Sequence, residues 1–298
     1  MTAERFGARR AAVCGKPIGH SLSPVIHRAG FAAAGLSDWS YEAIECAEVE
    51  LPGLVAGLGP EWAGLSLTMP LKEAALALAA EASPAATAVG AANTLVRRPD
   101  GSWYADNTDI SGMVRVLRAA GLDEATAPGG GRARAGSLLY GASPTVTILG
   151  GGGTARAALG AAAALNAWDV TVVTRRPEAV EELRPVAGKL GLNLRGVPWA
   201  DAPRTFDVDA VVSTVPKGAA DELAAAVTWQ PLTVLFDAIY DPWPTPLAAS
   251  AAAAGLPVVS GLDLLLAQAL GQFEQFTGVR PAPEPAMREA LLAAAAQR

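Results

Sequence analysis

The chain of 298 residues is long enough to bury more than one core, and a length of this order commonly resolves into two domains. Its 29 acidic against 23 basic residues give a formal net charge of −6, which disfavours binding along a phosphate backbone and so argues against a nucleic-acid partner. The alanine runs at 161–164 and 251–254 are far shorter than a membrane span, and the basic start is followed by only Ala11-Ala12-Val13-Cys14 before a Gly-Lys-Pro turn, too little for a secretory leader, so a cytoplasmic location and no membrane partner are expected.

Taken in order, residues 10–14 predict a strand, 23–34 a helix, 41–45 a strand, 47–57 a helix and 64–67 a strand. Pro70 then opens a helix to about Ala80, 92–96 is a strand, 103–105 a short strand, and 108–120 a helix. Residues 123–143, with Pro-Gly-Gly-Gly and little periodicity, read as an extended surface loop or linker. A second alternating series follows: strand 145–149, helix 154–165, strand 169–174, helix 177–190, strands 210–213 and 233–236, and helices 221–227 and 245–254. Residues 258–259 and helices 262–276 and 284–296 close the chain. Such alternation with short connections predicts an α/β protein of two domains: 1–109, 110–255 as a Rossmann-like unit, and 256–298 as helices that return to the first domain and make the joint a two-crossing hinge. The two cysteines, Cys14 and Cys46, sit in strand-like runs and are expected as buried free thiols.

Gly150-Gly151-Gly152-Gly153-Thr154-Ala155 directly follows a predicted strand and opens a predicted helix. Glycines at 150, 152 and 153 permit a tight turn and let backbone N–H groups approach a pyrophosphate at the helix N-terminus. Where an NAD site usually ends its next strand in Asp or Glu, this chain has Thr174-Arg175-Arg176. A hydroxyl and two guanidinium forks suit a 2′-phosphate, which an acid would repel, so NADP is the expected cofactor. In the first domain, Ser21 and Ser23 lie in the turn after the first strand, where two hydroxyls could converge on a small anion or serve as helix caps; His20 and His27 read as structural. Lys72 stands in a first helical turn, where a cation opposes the dipole unless it has an anionic partner, and Asp109, opening another helix at the same sheet rim, is the natural one. Asn93 is an unexpected amide within a strand-like run and suits a polyol better than a core.

These segments together resemble the shikimate dehydrogenase family, and most of all its actinobacterial members. The resemblance covers essentially the whole chain through Gly19-His20-Ser21-Leu22-Ser23-Pro24, 66–72, 90–95, 106–112, the glycine turn, 237–246 and 261–268. It implies NADP-dependent interconversion of 3-dehydroshikimate and shikimate, an oxidoreductase step in chorismate and aromatic amino-acid biosynthesis. By the same resemblance Lys72 and Asp109 are the catalytic pair, Ser21, Ser23 and Tyr240 hold the carboxylate, and Thr68, Asn93, Asp109 and Gln268 hold ring hydroxyls. Gly150, Gly152, Gly153, Thr154, Ala155, Thr174, Arg175, Arg176, Ser213, Thr214 and Gly261 line the cofactor. No metal is implied, the partner is the small-molecule substrate, and a homodimer is admitted.

The chain departs from the family in four places. Ser66 stands where an asparagine is usual, Thr174 replaces the usual asparagine of the second cofactor-domain strand, Arg176 replaces the usual hydroxyl residue after the arginine, and Ser213 opens the nicotinamide-side loop where an asparagine is usual. Quinate and aminoshikimate dehydrogenases share the fold and most polar residues, although Arg175 and Arg176 count against the NAD-linked quinate type. A non-enzymatic nucleotide-sensing protein would have no need of Lys72 paired with Asp109.

Overall fold

The computed structural model describes residues 8–122 and 143–298. The expected loop at 123–143 therefore lies outside the described residues apart from Ser143. The chain forms two compact units, one of Met1–Asp109 with Leu265–Arg298 and the other of Ile110–Leu264. Among the described residues, each unit carries a six-stranded sheet.

In the first unit the strands β1 (Arg9–Gly15), β2 (Trp39–Glu45), β3 (Trp62–Leu67), β4 (Glu81–Ala82), β5 (Thr94–Arg97) and β6 (Trp103–Asp106) are ordered β2-β1-β3-β5-β6-β4. β1 pairs in parallel with both β2 and β3, whereas β5 runs antiparallel to β3 and to β6. This reversal positions the site. β5 begins where its neighbours end, with Ser66 opposite Thr94 and Thr94 opposite Asp106, so the residues just before β5 share a rim with those just after β3 and β6. Every residue of β3 is buried, as a central strand covered on both faces requires.

The helices of this unit are α1 (Ser23–Ala33), α2 (Leu51–Ala56), α3 (Lys72–Leu78) and α4 (Pro84–Val89), together with the start of α5 (Thr108–Ala119). The expected helix at 47–57 is instead a 3₁₀ turn at Glu48–Glu50 followed by α2, and the helix expected from Pro70 begins two residues later at Lys72. β4 and α4 are additions to the sequence reading. α4 carries a plain start signal: Ser83 accepts a hydrogen bond from Ala86 N, Pro84 follows it, and Gly90 closes the helix at φ 69°.

The second unit is all parallel: β7 (Val146–Leu149), β8 (Asp169–Thr174), β9 (Asn193–Pro198), β10 (Ala210–Ser213), β11 (Val234–Asp237) and β12 (Val258–Ser260), in the order β12-β11-β10-β7-β8-β9. Strand order reverses at β7, which puts the ligand crevice of such a sheet at that strand's carboxyl end. Around it lie α6 (Gly153–Ala164), α7 (Pro177–Lys189), α8 (Leu223–Ala226) and α9 (Pro246–Ala253). β9 is a further addition to the sequence reading; it is a polar edge strand with a largely exposed face and a terminal proline. Because β12 pairs with β11, residues 258–260 belong to the second sheet, and the chain returns to the first unit within α10 (Gly261–Thr277), at Leu265 rather than at 256. α11 (Glu284–Ala295) follows.

Candidate active site

Lys72 is the first residue of α3, whose preceding residue, Leu71, supplies no side-chain cap. A cation there faces unbonded N–H groups and the positive end of the dipole. Asp109, in the first turn of α5, relieves it. Lys72 Nζ donates to Asp109 Oδ2 at 2.6 Å, with the two side chains 19% and 11% exposed, so the pair is sheltered yet reachable.

Asn93 lies just before β5 rather than within it and is 2% exposed. Its Oδ1 accepts from Thr108 N at 2.8 Å, Thr94 Oγ1 at 2.8 Å and Thr108 Oγ1 at 3.2 Å. The oxygen is thus filled from inside the protein, and the Nδ2 hydrogens are what the amide retains for a ligand. Ala92 N donates to Lys72 O at 2.8 Å, which fixes the start of α3 against the same rim. Thr68 N donates to Cys14 O at 2.9 Å, and a side chain at Gly15 would come within 2.4 Å of Thr68 Cγ2, so the β1 exit and the β3 exit are held in contact.

The two serines divide the roles left open by sequence. Ser23 is not a cap: α1 begins at Ser23, and among the described residues its Oγ has no hydrogen-bond partner although the residue is only 5% exposed. The local support comes from Ser21, whose Oγ accepts from Ser23 N at 3.3 Å. Gln268 is buried on α10, with Nε2 turned onto Leu265 O at 2.8 Å and Oε1 uncommitted. Tyr240 lies in the second unit, after β11, and is partly buried.

Sequence reading did not single out Gln272, although its spacing from Gln268 puts the two on one helix face. Gln272 is 1% exposed and joins Ser66, Asn93 and Thr94. Ser66 is no ligand contact: its Oγ accepts from Tyr41 Oη at 2.6 Å and donates to Gln272 Oε1 at 2.7 Å. Beneath Tyr41, the fully buried His27 stacks on its ring at 4.2 Å. Burial pushes the His27 imidazole down to about 3, against a smaller upward pull from Gln272.

In the second unit the glycine turn fits a dinucleotide by its own geometry. Gly150 has φ 107°, and a side chain there would come within 2.6 Å of Thr214 Oγ1. At Gly152, the N-cap of α6, a Cβ would meet nothing within 4 Å, and no side chain caps the helix, so its first N–H groups face open space. Gly151, absent from the expected set, is required for packing, since a Cβ would lie 2.7 Å from Ala179 Cβ. Gly153 and Thr154 open α6 beside this space, while Ala155 is fully buried.

Of three expected cofactor side chains, the hydroxyls of Thr174 and Thr214 are hydrogen-bonded within the protein and that of Ser213 is not. Thr174 Oγ1 donates to Arg176 O at 2.7 Å and Thr214 Oγ1 donates to Leu149 O at 2.8 Å, so each hydroxyl hydrogen is spent on a turn and not held for phosphate. Ser213 Oγ is buried and lies in register with Asp237, a carboxylate raised above its ordinary range by burial, against the lowering effect of donors from Thr245 and Ile239. Arg175 and Arg176 remain exposed with no carboxylate partner among the described residues, and the Arg175 guanidinium lies 5.7 Å from the Trp199 ring centroid. Gly261 opens α10, where any side chain would strike Ala238 O.

Residues 13–95 match the family model for the shikimate dehydrogenase substrate binding domain, and 261–292 match that for the shikimate 5'-dehydrogenase C-terminal domain. A shikimate dehydrogenase (NADP(+)) of Maricaulis maris is 37% identical over 289 residues, covering 95% of each chain. The crystal structure of Mycobacterium tuberculosis shikimate dehydrogenase is 43% identical, with a TM-score of 0.80 over 96% of this chain and 99% of that one. The Thermus thermophilus enzyme solved with NADP(H) and shikimate is 30% identical, with a TM-score of 0.76 over 96% and 99%. The chain belongs to the shikimate dehydrogenase family.

Proposed function

We propose that this protein catalyses the reversible, NADP-linked interconversion of 3-dehydroshikimate and shikimate, in the cytoplasm. The observation that carries the reading is the Lys72–Asp109 contact at 2.6 Å, two helix starts meeting at one sheet rim with Asn93 held beside them through Thr108. In reduction, the ring carbonyl carbon takes a hydride and its oxygen takes a proton. Bound nicotinamide supplies the hydride.

Asp109 fixes Lys72 and occupies one of the three ammonium hydrogens, which leaves two for a ring oxygen. Lys72 can deliver a proton to that oxygen as the hydride arrives, and in the oxidising direction the pair takes it back. Asn93 Nδ2, Thr68 and Gln268 Oε1 are the supports assigned to the remaining ring hydroxyls. Ser23, with an uncommitted hydroxyl in a nearly closed place, is the stronger of the two serines for the carboxylate, and the resemblance also assigns Tyr240 to that group. The glycine turn with the N-terminus of α6 would hold the pyrophosphate, and Arg175 and Arg176 the 2′-phosphate.

The test is a spectrophotometric assay with shikimate and quinate against NADP⁺ and NAD⁺. Turnover of shikimate with NADP⁺ well above every other combination is expected. Equal or better turnover of quinate would transfer the protein to the quinate type, and absence of turnover with any pair would leave a nucleotide-binding function.

A further inference from the structure

The helix α10 sends a line of hydrogen bonds through the first unit toward the substrate amide. Tyr41 Oη donates to Ser66 Oγ at 2.6 Å, and Ser66 Oγ donates to Gln272 Oε1 at 2.7 Å. Gln272 Nε2 then donates to Asn93 O at 3.0 Å and to Thr94 Oγ1 at 3.1 Å. Thr94 Oγ1 passes its hydrogen to Asn93 Oδ1 at 2.8 Å. Both serine and threonine hydroxyls in the line accept once and donate once, so the direction is fixed at each link. Gln272 is nevertheless 179 residues from Asn93 in the chain, and it touches neither Lys72 nor Asp109 in any hydrogen bond among the described residues.

The line decides how Asn93 presents itself. Asn93 O already accepts from Leu67 N at 2.7 Å, and Gln272 Nε2 adds the second donor, which satisfies both lone pairs of a buried carbonyl. Thr94 can point its only hydrogen at Asn93 Oδ1 because Gln272 occupies its accepting side. Its other polar neighbour, Thr108 Oγ1, lies farther off at 3.4 Å. Without Gln272, Thr94 is free to turn, and Asn93 O loses a donor.

We propose that Gln272 is a positioning residue for substrate recognition, acting through Asn93 and Thr94, with Ser66 holding its Oε1 in place. The proposal rests on the function given above.

The experiment measures steady-state kinetics of shikimate oxidation by NADP⁺ for wild type, Gln272→Ala and Gln272→Met, with melting temperatures alongside. Gln272→Met keeps the volume and removes the hydrogen bonds, so it reports even where Gln272→Ala folds poorly. Loss of the line should raise the shikimate KM about tenfold, the equivalent of one hydrogen bond's ~1.4 kcal/mol, with a smaller fall in kcat and no change in the KM for NADP⁺. A merely structural glutamine would lower melting temperature without the selective rise in KM. An unchanged shikimate KM in Gln272→Met overturns the proposal while leaving the function intact. A wild type that does not oxidise shikimate overturns both.

Discussion

Lys72 and Asp109 each open a helix, but only the aspartate suits that place, so the ion pair offsets an unfavourable position rather than adding to a favourable one. Lys72→Ala should therefore leave the melting temperature unchanged or slightly raised while lowering kcat by about 10²–10⁴-fold. Because the two residues act together, the Lys72→Ala/Asp109→Ala double variant should be little slower than the slower single one. Turnover of Lys72→Ala within about twofold of wild type would remove the lysine from proton transfer. His27 makes a separate, pH-dependent contribution. Its imidazole is held near 3 in the folded protein, well below the ~6.5 of an unfolded chain, so its stabilisation is complete above that pH. As the pH falls from there toward 3, the unfolded chain takes up a proton that the native state refuses, and stability should drop by up to ~1.4 kcal/mol per pH unit. Melting curves of His27→Phe should be flatter than wild type between about pH 6.5 and 4.5, and parallel curves would refute the assignment. Lys72, Asp109 and Asn93 were legible in the sequence because each is chemically out of place in its local segment or paired with one that is. The backbone bonds of the Thr174 and Thr214 hydroxyls were not legible, since nothing in a one-dimensional pattern says whether a hydroxyl at a strand end bonds the backbone nearby or a ligand.

At the scale of elements, α10 serves as a ruler laid against β3. Gln272 bonds Ser66, Asn93 and Thr94, and Gln275 Nε2 donates to Asp106 Oδ2 at 2.7 Å, so residues from three segments of the rim are set against one helix. The approach depends on Gly64, where a Cβ would lie 2.2 Å from the Phe276 ring and 2.9 Å from Leu95 O. Gly64→Ala should push α10 outward, cost about 1–3 kcal/mol of stability, and raise the shikimate KM without altering cofactor affinity. An alanine variant with wild-type stability and KM would mean that Phe276 simply rotates away. On the cofactor side, Arg175 leaves β8 toward solvent near Trp199. Arg175→Ala should weaken NADP⁺ binding far more than NAD⁺ binding in calorimetric titrations, and equal losses would assign the 2′-phosphate to Arg176 or elsewhere. The elements α6, α7 and β8, each bounded by turn signals, could be read from sequence almost to the residue. β4 and α4 could not, because two strand residues or six helical ones show too little of their period, and the edge strand β9, half of it polar or glycine, is decided by its pairing with β8. The Ser83-Pro84 start of α4 was the one local signal available.

Over the whole molecule, the first unit is built from two pieces of chain, and its second piece supplies core as well as site. Phe273 and Met287 are fully buried, Leu291 is 1% exposed and Phe276 6%. Gly30 of α1 lies so close that a Cβ would meet Met287 Sδ and the Phe273 ring at 3.0 Å, and Phe31 packs on Phe273 at 5.7 Å. The return of the chain is legible in the resemblance and in two closing helices without strands of their own, but the pairing of Ser66 with Gln272 across 206 residues has no trace in either local segment. A chain ending at Ser260 would keep β12 on β11 and so retain the second sheet complete, while the first unit would lose all four of those apolar side chains and the Gln272 amide. Buried Phe, Met and Leu side chains are worth ~2–5 kcal/mol apiece by truncation, and a domain's net stability is only about 5–15 kcal/mol, so the first unit should fail to hold its native packing. The expected outcome is a protein still protected against heat by NADP⁺ but no longer by shikimate, with apolar dye bound at ambient temperature. Undiminished shikimate protection in the truncated chain would show that residues 1–109 fold and bind alone, and that the returning helices only cover a unit already complete.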